Sequence, residues 1–400
     1  MVVFNPFVPS YKTNPHLQYA RLRAMEPVHR SSALQAWILT RYEDCIAVLR
    51  DPRTFSSDGL NASGQLGDSI REQRASSALG QVQTLLTVDP PDHTRLRGVI
   101  NRAFTPRRAE LLRPRIEAIS HELLDAIPSV GNFDLMTAFA QPLPVIVIAE
   151  LLGIPPSERD RFKQWSTKIA ATTDLLNSES AIMDARETTL ELIDYFNDFI
   201  QVRREKPRDD LISALVAAQS TDEQLTHEEI LAFAILLLVA GNETTTNLIG
   251  NGTLALLDNS EMFQSLRNQP DHFPAAIEEM LRYDSPVQGV VRVAVRDTTI
   301  GTQEIARGDM LMLMLGAANR DPAQFPSPDR FDVTREPNRH LSFGLGSHFC
   351  LGAPLARLEA EVAFSLLLRR FPHIARGSGN MERGDTFLLR GLTKLPLTTT

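Results

Sequence analysis

Apolar residues recur every three or four positions along most of this chain, which is the pattern of amphipathic helices. Short runs rich in β-branched and aromatic residues are fewer and lie far apart. Prolines are dense between residues 322 and 337, which predicts irregular chain there. The pattern predicts a mainly α fold with small peripheral β-sheets. Predicted helices cover 42–49, 108–126, 145–152, 182–202 and 211–217, and predicted strands lie near 37–40, 290–295 and 387–395.

The longest predicted element is a helix that begins at Thr226 and extends to about residue 258. Thr226 and Glu229 have the spacing of a capping box, which marks a helix N-terminus. Residues 230–240 are apolar on every side, so we expect this helix in the protein interior. That run of eleven residues is shorter than the ~20 needed to span a bilayer, so membrane attachment is not expected.

The middle of this helix breaks the local rules, because residues 240–246 read Ala-Gly-Asn-Glu-Thr-Thr-Thr. Glycine and β-branched residues are poor helix formers, and a buried acid is costly unless it is satisfied. Such a breach in a core helix is typical of a functional site. The Thr244 hydroxyl is placed to donate back to the Ala240 carbonyl. A helix that merely reaches solvent here, with Glu243 in a surface ion pair, is the alternative interpretation.

A second unusual segment is 343–357, Phe-Gly-Leu-Gly-Ser-His-Phe-Cys-Leu-Gly-Ala-Pro-Leu-Ala-Arg. Leucine and valine at 351, 355, 358, 362 and 366 predict an amphipathic helix with Cys350 in its first turn. Unpaired N–H groups there favour a thiolate by about 0.3–1 kcal/mol, less than the roughly 2 kcal/mol needed at neutral pH. Full thiolate character therefore needs a stronger partner than the helix, and a metal is the obvious one. An inert buried thiol is the alternative.

This segment resembles the haem-ligand signature of the cytochrome P-450 superfamily, of the soluble bacterial type. Nine positions match without a gap, at Phe343, Gly344, Gly346, His348, Cys350, Gly352, Leu355, Ala356 and Arg357. The resemblance implies haem b as cofactor and Cys350 as the axial ligand of its iron. It also implies that Phe343, Gly344, His348 and Gly352 contribute to cofactor binding.

The segment 240–246 is similar to the oxygen-binding motif of the same family. By that likeness Ala240 borders a groove for dioxygen, Thr244 hydrogen-bonds the oxygen, and Glu243 relays protons. The family's partners of the two haem propionates correspond to His93, Arg97, Arg292 and His348. His93 and Arg97 lie one helical turn apart and therefore share a face.

A third motif is the pair Glu279 and Arg282, three residues apart on a predicted helix. Such a pair is common by chance, but the segments 318–322 and 325–331 follow it in the order that the family shows. By resemblance, Arg330 completes a buried network with this pair beneath the haem. His340 is expected to be a structural hydrogen-bonding residue of the cysteine segment.

The resemblance also indicates which residues face the substrate, although each of them alone would more often belong to the core. They are nearly all apolar, which predicts a lipophilic substrate such as a terpenoid, fatty acid, polyketide or aromatic compound. The loose stretch 59–83 and Gln288 are candidates to meet a polar group, and 173–180 resembles the hinge between two lid helices. The predicted pocket residues are Leu85, Leu86, Leu236, Val239, Val287, Gln288, Val290, Val291, Leu388 and Leu389.

Composition and charge narrow the setting. The 400 residues show no linker or internal repeat, so we expect one domain over 1–400. The net charge of −8 argues against nucleic acid as a partner. The two cysteines, Cys45 and Cys350, cannot form a disulfide framework, and no signal peptide is evident at the N-terminus. We therefore expect a cytoplasmic protein.

No flavin- or nicotinamide-binding motif is present, so electrons are expected from a separate ferredoxin and its reductase. Residues 93–108 contain five arginines and no acid, which would steer an acidic ferredoxin, although an ordinary basic helix face has the same composition. The expected activity is a monooxygenase that hydroxylates or epoxidises its substrate with dioxygen. A peroxide-driven peroxygenase and a non-catalytic haem-binding sensor or sequestration protein are the alternatives.

Overall fold

The computed structural model describes residues 4–75, 82–170, 179–219 and 225–399. The predicted hinge 173–180 lies mainly outside this range, as do residues 76–81 of the stretch 59–83. Helices dominate the described chain. They are α1 Pro9–Thr13, α2 His16–Met25, α3 Tyr42–Arg50, α4 Gly64–Ala75, α5 Asp92–Ala103, α6 Pro106–Leu111, α7 Arg113–Asp125, α8 Pro142–Leu152, α9 Arg159–Ala170, α10 Glu179–Glu205, α11 Leu211–Ala218, α12 His227–Asp258, α13 Ser260–Asn268, α14 Phe273–Tyr283, α15 Leu315–Ala318 and α16 Ala353–Arg370.

The strands of the described chain are short and form small sheets. They are β1 Val28–Ser31, β2 Ala36–Leu39, β3 Phe55–Ser56, β4 Gly131–Asp134, β5 Val290–Ala294, β6 Thr298–Ile300, β7 Gln303–Ile305, β8 Met310–Leu313, β9 Ala375–Arg376, β10 Glu382–Arg383, β11 Leu392–Lys394 and β12 Pro396–Thr399. The largest sheet has the order β1-β2-β8-β5-β3, in which β2 and β8 are parallel and the other pairs antiparallel. Three smaller sheets have the orders β4-β12-β9, β10-β11 and β6-β7.

The mainly α fold with small sheets is confirmed, and most predicted elements are present within a few residues of their expected ends. The predicted helix 108–126 is instead two helices, α6 and α7, because each has a proline in its first turn that favours a new start. The prediction of a loose stretch from residue 59 is wrong where it is described, since α4 occupies most of it. The predicted strand 387–395 reduces to β11, and 322–337 contains neither helix nor strand, as expected.

Helix α12 is the central element of the core. It contacts α8, α9, α14 and α16, and its N-terminus has the capping box of Thr226 and Glu229 that the sequence predicts. By length and composition α12 is one helix in the described chain that could cross a membrane, but 61% of its most apolar window is buried inside the protein. Its apolar surface is therefore covered by the neighbouring helices.

Candidate active site

The cysteine segment is a tight loop that only glycine permits. Gly344 and Gly346 have positive φ angles of 69° and 76°, which residues with a side chain rarely adopt. A Cβ on Gly346 would also lie 2.6 Å from the Leu49 carbonyl oxygen. The Cys350 N–H closes the loop by donating to the Phe343 carbonyl at 2.9 Å. Together these constraints fix the position of the Cys350 side chain.

Helix α16 begins at Ala353 with Gly352 as its N-cap, so the prediction that Cys350 lies in the first turn is wrong. Pro354 favours a start at this point because proline suits the first turn of a helix. Cys350 precedes the helix by three residues. The N–H groups of Gly352 and Ala353 nevertheless reach its sulfur. The interaction with the helix N-terminus is therefore kept.

Cys350 is exposed, whereas Cys45 is buried. Even so, the protein around the Cys350 sulfur acts mainly by desolvation, and this raises the pKa of the thiol. The N–H groups of Gly352 and Ala353 and the charges of Arg97 and Arg357 act in the opposite direction without reversing the shift. The protein alone therefore does not supply a stable thiolate, and a metal bound to the sulfur would.

One face of α12 is less buried than the rest of the helix. Ala240 is exposed, and Leu236, Val239, Glu243 and Thr244 are half-buried, whereas Leu237, Leu238, Asn242 and Thr245 are buried. Counted from Leu236, the positions of Val239, Ala240, Glu243 and Thr244 lie three, four, seven and eight residues along the helix, so all five lie on the same side. The predicted oxygen-site residues and the two predicted substrate contacts on α12 therefore share one face.

The polar groups on this face have the predicted local geometry. The Thr244 hydroxyl donates to the Ala240 carbonyl at 2.8 Å. The Oε2 atom of Glu243 is buried and has no hydrogen-bond partner among the described residues. Burial raises the pKa of Glu243, which favours a bound proton. The raised pKa makes this carboxyl group a better candidate for proton transfer than an ordinary surface glutamate.

The four predicted propionate partners converge, although they come from three separate elements. The imidazole rings of His93 on α5 and His348 have centroids 4.2 Å apart. Burial, Arg292, His93 and Arg97 together lower the pKa of His348 to about 3. Burial of His93 lowers the pKa of its imidazole, and the charges of Arg97 and Arg292 act in the same direction, whereas the charge of Asp89 raises it.

This positive cluster has unused hydrogen-bonding capacity. The Nε2 atom of His93 is buried without a partner among the described residues. The Nη2 atom of Arg97 donates to the Phe349 carbonyl at 2.7 Å, next to Cys350. The Nε2 atom of His348 lies 3.0 Å from the Ser57 hydroxyl, a partner that the sequence did not indicate. A carboxylate placed here would relieve the repulsion among the cations.

The Glu279–Arg282 pair is buried completely and lies in a larger network. Two hydrogen bonds of 2.7 and 2.8 Å join the side chains. The prediction that the Arg330 side chain completes this network is wrong, because that side chain is exposed and only its carbonyl accepts from Arg282 at 3.1 Å. Arg335 takes the predicted position, with its Nε 3.2 Å from Glu279 Oε2. Asn338 adds a bond of 3.1 Å to the same oxygen.

Two of the predicted substrate contacts, Gln288 and Leu85, are buried within the protein. Gln288 is 1% exposed, accepts from the Tyr19 hydroxyl at 3.0 Å and donates to the Ser285 carbonyl at 2.7 Å. Its amide is thus occupied within the protein, and the prediction that it meets a substrate group is wrong. Leu85 belongs to the buried core. Leu86 is exposed. The other predicted substrate contacts are half-buried, and they are Leu236, Val239, Val287, Val290, Val291, Leu388 and Leu389.

Together these residues fit a haem. Cys350 offers a sulfur with the N–H groups of Gly352 and Ala353 beside it. The cluster of His93, Arg97, Arg292 and His348 has the charge that two propionates require. His93 Nε2 would gain a hydrogen-bond partner.

Comparisons with known proteins agree with this chemistry. The sequence model of the family described as Cytochrome P450 matches residues 46–393. The polyketide biosynthesis cytochrome P450 PksS of Bacillus subtilis is 42% identical, covering 99% of this chain and 98% of its own, and its structure superposes with a TM-score of 0.90. The mycinamicin IV hydroxylase/epoxidase of Micromonospora griseorubida is 41% identical, covering 95% and 94%.

A third similar protein is P450BioI, solved with an acyl carrier protein that carries hexadec-9Z-enoic acid. It is 38% identical and covers 98% of this chain and 100% of its own, with a TM-score of 0.89. The relatives are named as monooxygenases, hydroxylases and epoxidases. The chain therefore belongs to the cytochrome P450 family, whose members are enzymes that carry haem b on a cysteine thiolate.

Proposed function

We propose that this protein is a single-domain monooxygenase that inserts one oxygen atom from dioxygen into a lipophilic small molecule, by hydroxylation or epoxidation. The observation that carries the proposal is the pairing of Glu243 and Thr244 on the open face of the central helix α12. A haem bound at Cys350 supplies electron transfer and the activation of oxygen. The residues of the chain supply ligation, orientation and protons.

In the proposed mechanism the Cys350 sulfur would bind the haem iron, and the hydrogen-bonded loop around it would hold the sulfur in place. His93, Arg97, Arg292 and His348 would hold the two propionates of the haem. The Thr244 hydroxyl, now held by the Ala240 carbonyl, is positioned to hydrogen-bond dioxygen. Glu243 holds a proton at its buried carboxyl group and delivers it toward Thr244.

The substrate is proposed to be lipophilic because the half-buried candidate contacts are all apolar. Val290 and Val291 lie on β5, and Val287 pairs with Leu389 in an isolated β-bridge, so these contacts come from adjacent backbone segments. The names of PksS and of the P450BioI complex favour a polyketide or fatty acyl chain among the predicted classes. Dioxygen rather than peroxide is proposed as oxidant because Glu243 and Thr244 are both present.

Electrons are proposed to come from a ferredoxin and a ferredoxin reductase in the cytoplasm. The relatives are bacterial, and the arginine-rich stretch 93–108 is the candidate docking surface for an acidic ferredoxin. No role for nucleic acid or a membrane is proposed.

The test is a coupling measurement on the purified holoprotein. A panel of fatty acids, terpenoids and polyketides is screened for substrate-induced absorbance shifts, and product is then compared with NAD(P)H consumed. Thr244→Ala should retain haem and divert most electrons into hydrogen peroxide. Thr246→Ala, which removes a hydroxyl on the buried face of α12, is the control and should remain coupled. Unchanged coupling in Thr244→Ala, or product formed only with added peroxide, would contradict the proposal.

A further inference from the structure

Two adjacent glutamates on α14 have separate partners. Glu279 belongs to the buried network with Arg282 and Arg335, whereas Glu278 contacts the cysteine segment and helix α16. The Nε and Nη2 atoms of Arg357 donate to the two oxygens of Glu278 at 2.7 and 2.8 Å. This paired geometry is the strongest form of a carboxylate–guanidinium contact, and it fixes the direction of the Arg357 side chain.

His340 is the third member of this cluster. Its Nε2 lies 3.0 Å from Glu278 Oε2, and its Nδ1 accepts from the Ser342 N–H at 3.2 Å. Because Nδ1 is an acceptor, the ring proton lies on Nε2 and points at Glu278. His340 is buried, so Glu278 is tied at once to the chain before the cysteine and to the helix after it.

The cluster lies close to the cysteine loop. The Arg357 guanidinium is 4.6 Å from the centre of the Phe343 ring, and the Phe343 carbonyl accepts from the Cys350 N–H at 2.9 Å. The charge of Arg357 acts on the Cys350 sulfur and favours its ionised form. Burial alone would raise the pKa of Glu278, but Arg357 and His340 lower it to about 2, so that Glu278 is an anion at neutral pH.

We propose that Glu278 is a positioning residue that holds Arg357 beside the cysteine ligand and cancels its positive charge there, and thereby sets the reduction potential of the haem iron. An uncompensated cation near the iron stabilises the ferrous state, which has one more electron, and raises the potential. An uncompensated anion has the opposite effect. The inference rests on Cys350 as the haem ligand and is independent of the substrate.

The test is spectroelectrochemistry of substrate-free holoprotein in variants of the pair. Glu278→Gln should shift the potential to more positive values, because Arg357 loses its counter-charge. Arg357→Gln should shift it to more negative values, and the double variant should return close to the wild-type potential. Loss of packing alone cannot produce shifts of opposite sign that cancel in the double variant.

The matched control is Glu361→Gln. Glu361 lies on α16 one turn beyond Arg357 and pairs with Arg113 at 3.0 Å, and Arg113 also pairs with Glu110. The variant therefore removes the same charge from an ion-pair cluster that includes no residue of the cysteine segment and leaves its arginine with a counter-charge. Its potential should stay at the wild-type value. Equal shifts in Glu278→Gln and Glu361→Gln, or shifts of one sign in both single variants, would overturn the proposal. If Arg357→Gln fails to bind haem, the comparison of Glu278→Gln with Glu361→Gln decides alone.

A separate spectrum distinguishes a failure of the role proposed for Glu278 from a failure of the assignment of Cys350 as the haem ligand. The reduced carbonyl complex of Glu278→Gln should keep the red-shifted Soret band of sulfur ligation. If the wild-type protein lacks that band, the assignment of Cys350 is wrong. If the band is present and the potentials do not differ, only the role of Glu278 is wrong.

Discussion

The negative charge of the buried Glu279 carboxylate is compensated by several hydrogen-bond donors. It is 0% exposed and accepts from Arg282, Arg335, Asn338 and the Asp332 N–H. A buried ion pair is costly to break because one partner is left charged and without compensation in a medium of low dielectric. These contacts join α14 to the irregular segment that precedes the cysteine loop. The residue therefore stabilises the platform on which Cys350 lies.

We predict that Glu279→Ala destabilises the protein by about 3–5 kcal/mol and abolishes haem retention. Arg335→Ala should act in the same direction, because its side chain bonds Glu279 directly. Arg330→Ala is the control and should stay within about 0.5 kcal/mol, since its side chain is exposed. Haem content after purification and urea unfolding measure these effects. Full haem occupancy in Glu279→Ala, or equal losses in the two arginine variants, would contradict this assignment.

The sequence identified Glu279 and Arg282 because helical spacing fixes which side chains meet. It did not identify Arg335, because 322–337 has no regular secondary structure and spacing there predicts no contact. Gln288 was misassigned for a related reason. Its polar side chain suggested a substrate contact, but Tyr19 and Ser285 bind it, and contacts between distant segments leave no local sequence signal.

At the scale of elements, α12 combines a close-packed helix with a reactive face. Gly252 allows close approach, since a Cβ there would lie 2.6 Å from Phe364 Cζ and 2.7 Å from Met280 Sδ. Helices α14 and α16 thereby pack tightly against α12. The two helices carry Glu279 and the stretch after Cys350, so this contact connects the helix of the proposed oxygen site to the platform of the proposed haem ligand.

Substitution of glycines by alanine tests this packing. Gly252→Ala should destabilise the holoprotein by about 1–3 kcal/mol, because the added methyl group overpacks the contact with the Phe364 ring and the Met280 thioether. Gly98→Ala on α5 is the control. No atom lies within 4 Å of its added Cβ, and the variant should gain about 0.5–1 kcal/mol from helix propensity. Thermal unfolding measures both, and a neutral or stabilising effect of Gly252→Ala would show that the contact is loose.

The boundaries of α12 could be predicted because a capping box and a long apolar run define them. The helix α4 could not, because Gly64 and Gly67 have weak helix propensity and its apolar positions are sparse. The start of α16 was placed a few residues early because Leu351 fits the apolar stripe of that helix. The loop geometry that excludes Leu351 depends on contacts of Gly346 with α3, which are distant in sequence.

The whole molecule is acidic, with a net charge of −8, yet it has a basic stretch at 93–108. Arg95 pairs with Glu229, and Arg97 reaches the Phe349 carbonyl, so these two have partners within the protein. Arg107 is exposed on α6 and remains the clearest candidate for contact with an acidic ferredoxin. A contrast between the local and the overall charge orients an approaching partner over a Debye length of roughly 10 Å.

We predict that ferredoxin-dependent turnover falls as salt rises and that Arg107→Glu lowers kcat/KM for the ferredoxin on the order of tenfold. Arg21→Glu on α2 changes an exposed arginine outside the stretch and should have little effect. Steady-state turnover with an acidic ferredoxin at increasing salt measures both. Turnover independent of salt, or equal losses in the two variants, would show that this stretch is not the docking surface.

The most direct test of the account is the absorbance spectrum of the reduced carbonyl complex. The protein is expressed with ample haem supply, purified, reduced and exposed to carbon monoxide. We predict a coloured protein whose Soret band has the red shift of sulfur ligation, and a Cys350→Ser variant that lacks this band while Cys45→Ser retains it. Colourless protein, or a carbonyl complex without the shifted band in the wild type, would contradict the assignment of Cys350 as the haem ligand.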